Sequence, residues 1–138
     1  MTIKEKKEYL KRYRKIDREV NQLLMEKDEI FSLGTKITPT YSDMPKGTGE
    51  SNKIQSTIEK LEEQENKINQ NIDLLYEVKE NIEKALYTVE DDTLRVLLRY
   101  RYINGLTWEK IAVNMNYTYQ WICKLHGEAL RKLKVDSN

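Results

Sequence analysis

The side chains best suited to act as nucleophile, base or metal ligand lie in one stretch, GLTWEKIAVNMNYTYQWICKLHGEAL, residues 105–130. It contains the single cysteine, Cys123, the single histidine, His126, and both tryptophans. One Cys and one His cannot form a disulfide or a Cys/His zinc site within one chain. No clustered carboxylates accompany a nucleophile, so no catalytic site can be assigned. We therefore predict a protein that is not an enzyme and has neither metal nor cofactor. His126 is predicted to be a helix-surface or backbone-contact residue, and the tryptophans are predicted to pack.

The spacing of apolar, small and turn-forming residues in this stretch is typical of a helix-turn-helix. Ala112 is the small residue at the fifth position, where the two helices cross closely. Asn116 falls at the ninth position, where the turn needs a left-handed backbone that Asn tolerates best after Gly. Thr107 and Thr118 each precede a helix that a hydroxyl can cap. Five apolar side chains are predicted to point inward: Ile111, Met115, Tyr117, Ile122 and Leu125.

A longer segment, DTLRVLLRYRYINGLTWEKIAVNMNYTYQWICKLHGEALRKL, residues 92–133, resembles region 4 of bacterial sigma factors. Its LT-x-E-x-I-A opening and A-L-R-K-L ending stand at the usual places of that region. The whole chain is also similar to small phage and prophage proteins with a sigma region 4-like motif. In those proteins a coiled coil and a YSDMPKG-type segment, here residues 41–47, precede the motif. The resemblance implies a DNA-binding protein of the late-transcription regulator type.

A recognition helix over residues 118–134 would enter the major groove with its N-terminus first. Gln120 can pair with adenine N6 and N7, and Lys124 can reach guanine or a phosphate. The predicted base contacts are Thr118, Tyr119, Gln120, Cys123 and Lys124. The predicted phosphate contacts are Arg95, Arg99, Arg101, Lys110, Arg131 and Lys132. Sigma region 4 usually has arginines on this helix face, so we do not expect its promoter preference here.

Two long helices with heptad spacing are predicted before this motif. Residues 3–33 carry an apolar seam at 4,3,4,3 spacing with Lys27 as the misfit. From about Ser51 a second seam has nine apolar residues in eleven positions, and its exceptions are Glu65 and Lys79. These two exceptions set the register, mark where another helix approaches, or are simply exposed. The second helix pairs either with the first, as an antiparallel hairpin, or with a second chain, as a homodimer.

We therefore predict an all-α fold, with a helical hairpin or coiled coil over residues 1–89 and a linker at 34–50. A sigma region 4-like helix-turn-helix bundle follows over residues 90–138. The formal net charge of +1 conceals an uneven distribution, since residues 93–138 carry +5 and residues 50–92 carry −7. The basic C-terminal part favours double-stranded DNA as a partner, and the acidic helix favours a protein such as RNA polymerase.

The segment from Lys4 to Arg18 has eight positive and three negative residues. It is interpreted as a solvated helix face, with DNA contact as the alternative. No apolar run has the length of a membrane span, and the N-terminus is charged from Lys4, so we expect a cytoplasmic protein without membrane contact.

Three functions remain open at this point. The first is a phage-type DNA-binding transcriptional regulator. The second is a small terminase-like subunit for DNA packaging or an accessory role. The third is a coiled-coil protein that docks on RNA polymerase without reading DNA.

Overall fold

The computed structural model describes residues 1–36 and 48–136, with side chains described from residue 52 in the second range. The predicted linker, 34–50, falls largely outside these residues, and the YSDMPKG-type segment falls wholly outside them. The described residues form five α-helices and no strand. The helices are α1 (Ile3–Thr35), α2 (Thr48–Leu86), α3 (Asp92–Tyr102), α4 (Trp108–Met115) and α5 (Tyr119–Lys132). The predicted all-α class is confirmed.

Helices α1 and α2 pack against each other as a helical hairpin, which confirms the intrachain pairing of the heptad seams. Contacts divide the chain into two compact units. Residues 18–73 form the first, the hairpin unit, and residues 1–17 with 74–138 form the second, the helix-turn-helix unit. Within residues 1–36 and 48–136, none of the helices combines the length and apolar character that crossing a membrane requires.

The hairpin unit has a polar group in its seam as well as buried apolar residues. Val20, Leu23 and Ile68 are buried. Beside them the buried Gln64 amide donates to the Leu23 carbonyl at 2.9 Å and to the Glu26 carboxylate at 3.1 Å. Both bonds occupy the amide nitrogen, so the buried side chain is not left without a partner.

The two polar misfits of the hairpin unit, one in each seam, lie opposite each other. The Lys27 ammonium is 3.0 Å from a Glu65 carboxylate oxygen. Both side chains are partly exposed, so the pair contributes little free energy. The pairing is compatible with register setting and with the approach of another helix, and the 54% exposure of the Glu65 side chain is compatible with an exposed misfit.

The core of the helix-turn-helix unit includes residues from the start of α1 and from the end of α2. Leu10 of α1 and Ile82 and Leu86 of α2 are completely buried in the same cluster as α3, α4 and α5. This division differs from the predicted boundary between residues 89 and 90. The reason is that the first turns of α1 and the last turns of α2 cover the apolar faces of the three short helices.

The ends of the short helices are determined by local hydrogen bonds. The Thr107 hydroxyl accepts from the Lys110 N–H, and the Thr118 hydroxyl accepts from the Trp121 N–H, both at 3.2 Å. Asn116 has φ 59° and ψ 40°, the left-handed conformation predicted for the turn. Both predicted caps and the turn residue are therefore confirmed.

Four of the five side chains predicted to point inward do so. Ile111, Ile122 and Leu125 are buried, and Met115 packs at the edge of the core. The prediction for Tyr117 is wrong, because its ring is 41% exposed. Its backbone N–H closes the turn on the Ala112 carbonyl at 3.0 Å, and the ring remains at the surface beyond the crossing of α4 and α5.

Candidate nucleic-acid interface

Helix α5 presents a polar strip that runs from its first turn to its last. At 100° per residue, Gln120, Lys124 and Arg131 lie within about 40° of one another around the helix axis. All three are exposed. Cys123, also exposed, lies about 60° to one side of Gln120. We call this surface the recognition strip; its members are Gln120, Cys123, Lys124, Gly127 and Arg131.

The core determines which face of α5 remains outside. Ile122 and Ala129 are fully buried on the side of the helix opposite Gln120. Rotating the helix to bury the recognition strip would expose these residues, so packing holds the strip outward. The Thr118 cap and the left-handed turn at Asn116 fix where α5 begins. The first exposed residues after the turn are therefore held in one orientation.

The structure distributes the five predicted base contacts unevenly. Gln120, Cys123 and Lys124 share the recognition strip. Tyr119 is 46% exposed beside it, and a hydrogen bond with the Cys123 side chain raises the pKa of its phenol. Tyr119 is therefore a neutral hydroxyl at physiological pH. Thr118 is exposed, but its oxygen already accepts the capping N–H, so its part is chiefly to start the helix.

Trp121 was expected to pack, and that expectation is wrong, since 44% of its surface is exposed. It lies on the flank of α5, about halfway between Gln120 and the core residue Ile122. The Lys124 ammonium is 5.4 Å from the centre of its ring, a distance suited to a cation–π contact. Trp121 thus supports the Lys124 amine at the edge of the recognition strip, a role that composition did not reveal.

Three of the six predicted phosphate contacts lie on or beside the helix-turn-helix surface. Lys110 is exposed in the first turn of α4, and Arg131 ends the recognition strip. Lys132 is exposed and pairs with Glu128 at 3.2 Å along the same helix. Exposed pairs of this kind are weak, so all three cations can turn toward an anionic partner.

The three arginines of α3 have structural partners instead. Arg99 pairs with Glu83 of α2 at 3.1 Å. Arg95 pairs with Asp92 and donates to the Val89 carbonyl at 2.9 Å. These contacts tie α3 to the end of α2 and to the loop between them.

Arg101, the third arginine of α3, lies closer to the helix-turn-helix. It donates to the Leu106 carbonyl at 3.0 Å, and its guanidinium is 4.5 Å from the centre of the Trp108 ring. Its charge also acts on Tyr119, whose pKa it lowers against the larger effect of Cys123. Arg101 therefore adds positive potential near the start of α5 without being free to move.

His126 is not on the surface, contrary to expectation. It is 9% exposed, its Nε2 is 2.8 Å from the Tyr102 hydroxyl, and its ring lies 4.4 Å from that of Trp108. Burial lowers its pKa to about 4, and the positive charges of Lys7 and Arg101 add to that effect. Burial also raises the pKa of Tyr102 to about 12.

The Tyr102, Trp108 and His126 side chains join α3, α4 and α5 through neutral groups. The sequence contained one sign of this arrangement, since residue 126 lies four positions after Ile122 and four before Leu130, both of which are fully buried. Among the residues that the structure describes, no three His, Cys, Asp or Glu side chains are grouped to share a metal ion.

The geometry defines an all-α protein that carries a helix-turn-helix. No family model, no curated protein and no solved structure matches the chain.

Proposed function

We propose that this chain is a DNA-binding transcriptional regulator of the phage type, which inserts α5 into the major groove of double-stranded DNA. The observation that carries the proposal is the recognition strip, a polar face on a helix whose opposite face is anchored in the core. The turn at Asn116 places the first residues of that strip at the N-terminal end of α5, the end that would enter the groove first. The assignment to phage-type regulators depends on the resemblance to sigma region 4.

Base reading in this proposal falls to Gln120 and Lys124. A glutamine amide can donate to and accept from one adenine at once, and an ammonium can donate to guanine O6 and N7. A well-placed bidentate contact discriminates against a wrong base by about 1–3 kcal/mol. The neutral Tyr119 hydroxyl and the exposed Cys123 side chain flank these two residues, and Cys123 suits a small apolar contact such as a thymine methyl.

Contacts with the sugar-phosphate backbone of the DNA would position the helix without reading the base sequence. Lys110, Arg131 and Lys132 are the cations exposed for this role. We give Arg95 and Arg99 a smaller role in phosphate binding than the sequence suggested, because each already pairs with an acidic side chain.

One helix-turn-helix buries limited DNA surface, so tight binding requires a second module or a tether. We retain the prediction of a homodimer, with RNA polymerase as the alternative partner. Ile54 and Ile58 of the α2 seam are 57% and 43% exposed, so they offer a second copy an apolar surface beside the part of the seam that α1 covers.

The test is a selection of bound duplexes from a random DNA pool at physiological salt. The wild type is compared with Gln120→Ala/Lys124→Ala. A matched control, Gln70→Ala/Lys67→Ala, removes the same two residue types from exposed positions of α2 in the hairpin unit. We expect the wild type and the control to recover one motif and the strip variant to lose it.

The other outcomes separate the remaining functions. A motif recovered equally by all three proteins would remove Gln120 and Lys124 from base reading. Absence of any enriched motif would favour the protein that docks on polymerase. One or two half-sites in the motif would report whether a second copy takes part.

A further inference from the structure

Helix α1 carries a row of positive side chains that the recognition strip does not include. Lys4, Lys7, Lys11 and Arg14 follow one another at spacings of three, four and three residues, and Lys15 adjoins them. At 100° per residue these five side chains occupy an arc of about 100° over a length of about 16 Å. We call this row the basic stripe. Lys4, Lys11 and Lys15 are exposed, and Lys7 and Arg14 are half-buried.

The basic stripe lies within the helix-turn-helix unit, against α5 and the loop before α4. Arg14 packs on Gly105 of that loop so closely that a Cβ added there would lie 2.5 Å from the guanidinium carbon. On another face of α1, about 130° from the centre of the stripe, the Lys6 ammonium donates to the Leu130 carbonyl of α5 at 2.9 Å. The charge of Lys7 reaches His126 of the same helix and lowers its pKa.

The two flanks of this part of α1 face different surroundings. Tyr9, about 170° from the centre of the stripe around the helix axis, and Arg12, about 60° from Lys15, line a cleft together with Glu77 and Asn81 of α2. The basic stripe is therefore on the flank turned away from α2. The recognition strip of α5 is likewise turned away from the core to which α2 contributes. The contacts of Arg14 with Gly105 and of Lys6 with Leu130 place this part of α1 beside α5 and the loop before α4.

We propose that the basic stripe binds the sugar-phosphate backbone of the same duplex whose major groove receives α5. This inference rests on the proposed function and extends the DNA-binding surface onto α1. A row of five cations suits phosphates better than the apolar centre of a protein interface. In this proposal the segment from Lys4 to Arg18 binds DNA phosphates, whereas its charge alone led us to interpret it as a solvated helix face.

Two acidic side chains lie beside the stripe: Asp17 pairs with Arg14 at 3.3 Å, and Glu8 lies near two of the lysines. The Glu8 carboxylate is 3.9 Å from the Lys11 ammonium and 3.5 Å from that of Lys15. All three side chains are about half exposed, so these ion pairs are weak and each lysine can exchange the carboxylate for a phosphate.

The test measures DNA affinity as a function of salt concentration for Lys4→Gln/Lys11→Gln/Lys15→Gln. Each lost phosphate contact lowers the slope of log affinity against log salt by about 0.9, so the slope should fall by about 3. The matched control, Lys53→Gln/Lys60→Gln/Lys67→Gln, makes the same change in net charge at exposed positions of α2. We expect its slope to stay within about one contact of the wild type.

A variant that is expected to bind DNA more tightly makes the test independent of any loss of folding. Glu8→Gln removes a negative charge beside the stripe, and we expect it to tighten binding to every duplex severalfold without changing the preferred sequence. Circular dichroism checks that all variants keep their helices.

The outcomes separate the two proposals. Sequence-selective binding with equal slopes for the stripe variant and its control would overturn the role of α1 and leave the role of α5 intact. A wild-type protein that binds no duplex would overturn both proposals.

Discussion

His126 should make the stability of the helix-turn-helix unit depend on pH in a range where almost no other group titrates. It is the only histidine of the chain, and burial lowers its pKa from 6.5 to about 4. A base whose pKa is lowered by folding is held neutral in the native state, whereas the unfolded state takes up the proton. The stabilisation is therefore fully present above pH 6.5 and is lost as the pH falls toward 4.

The size of this effect follows from the shift in pKa. At 1.36 kcal/mol per unit, the lowering corresponds to about 3 kcal/mol of unfolding free energy between neutral pH and pH 4. About 2 kcal/mol of it should already be lost at pH 5, above the pKa values of ordinary carboxyl groups. This is a large fraction of the total stability expected of a small domain.

The assay is urea unfolding at pH 7 and pH 5, followed by tryptophan fluorescence. Trp108 lies against the His126 ring, and Trp121 belongs to the same unit, so the signal reports this unit directly. His126→Gln is the comparison, because it removes the titrating group and keeps a side chain that can hydrogen-bond with Tyr102. We expect the wild type to lose about 2 kcal/mol more than the variant between the two pH values. Equal losses would refute a neutral buried His126.

Two further predictions concern the turn and the register of the hairpin. Asn116→Ala should destabilise the protein by about 1 kcal/mol, because Ala tolerates the left-handed conformation less well, whereas Asn116→Gly should be neutral or stabilising. Thermal unfolding measures both, and a loss with Gly as large as with Ala would contradict a conformational cause. For Lys27 and Glu65, a double-mutant cycle with Lys27→Met and Glu65→Gln should give a coupling of less than about 1 kcal/mol. A coupling of several kcal/mol would mean that the pair stabilises the fold appreciably.

The features that could be predicted from the sequence are those determined by neighbouring residues. Helix periodicity revealed α1 and α2, and short-range hydrogen bonding identified Thr107 and Thr118 as caps. The left-handed turn at Asn116 was predictable because few residue types accept that backbone. In each case the deciding partners lie within a few positions along the chain.

The features that could not be predicted depend on partners far away in the sequence. His126 is a polar residue at an apolar spacing, and only the position of Tyr102 shows that it is buried. Trp121 lies at the border between core and surface, where periodicity does not decide. The basic stripe is placed beside the helix-turn-helix by the contact of Arg14 with Gly105, residues 91 positions apart.

The same long-range contacts determine which unit can be completed first during translation. The helix-turn-helix unit begins with residues 1–17 and resumes at residue 74, so the whole hairpin unit is translated in between. Leu10 emerges from the ribosome long before α3, α4 and α5, the helices with which it forms a core. The hairpin unit can fold while translation continues, since domains fold as they become complete. The surface proposed to bind DNA is assembled last, when α5 reaches Leu10, and an interrupted chain would not carry it.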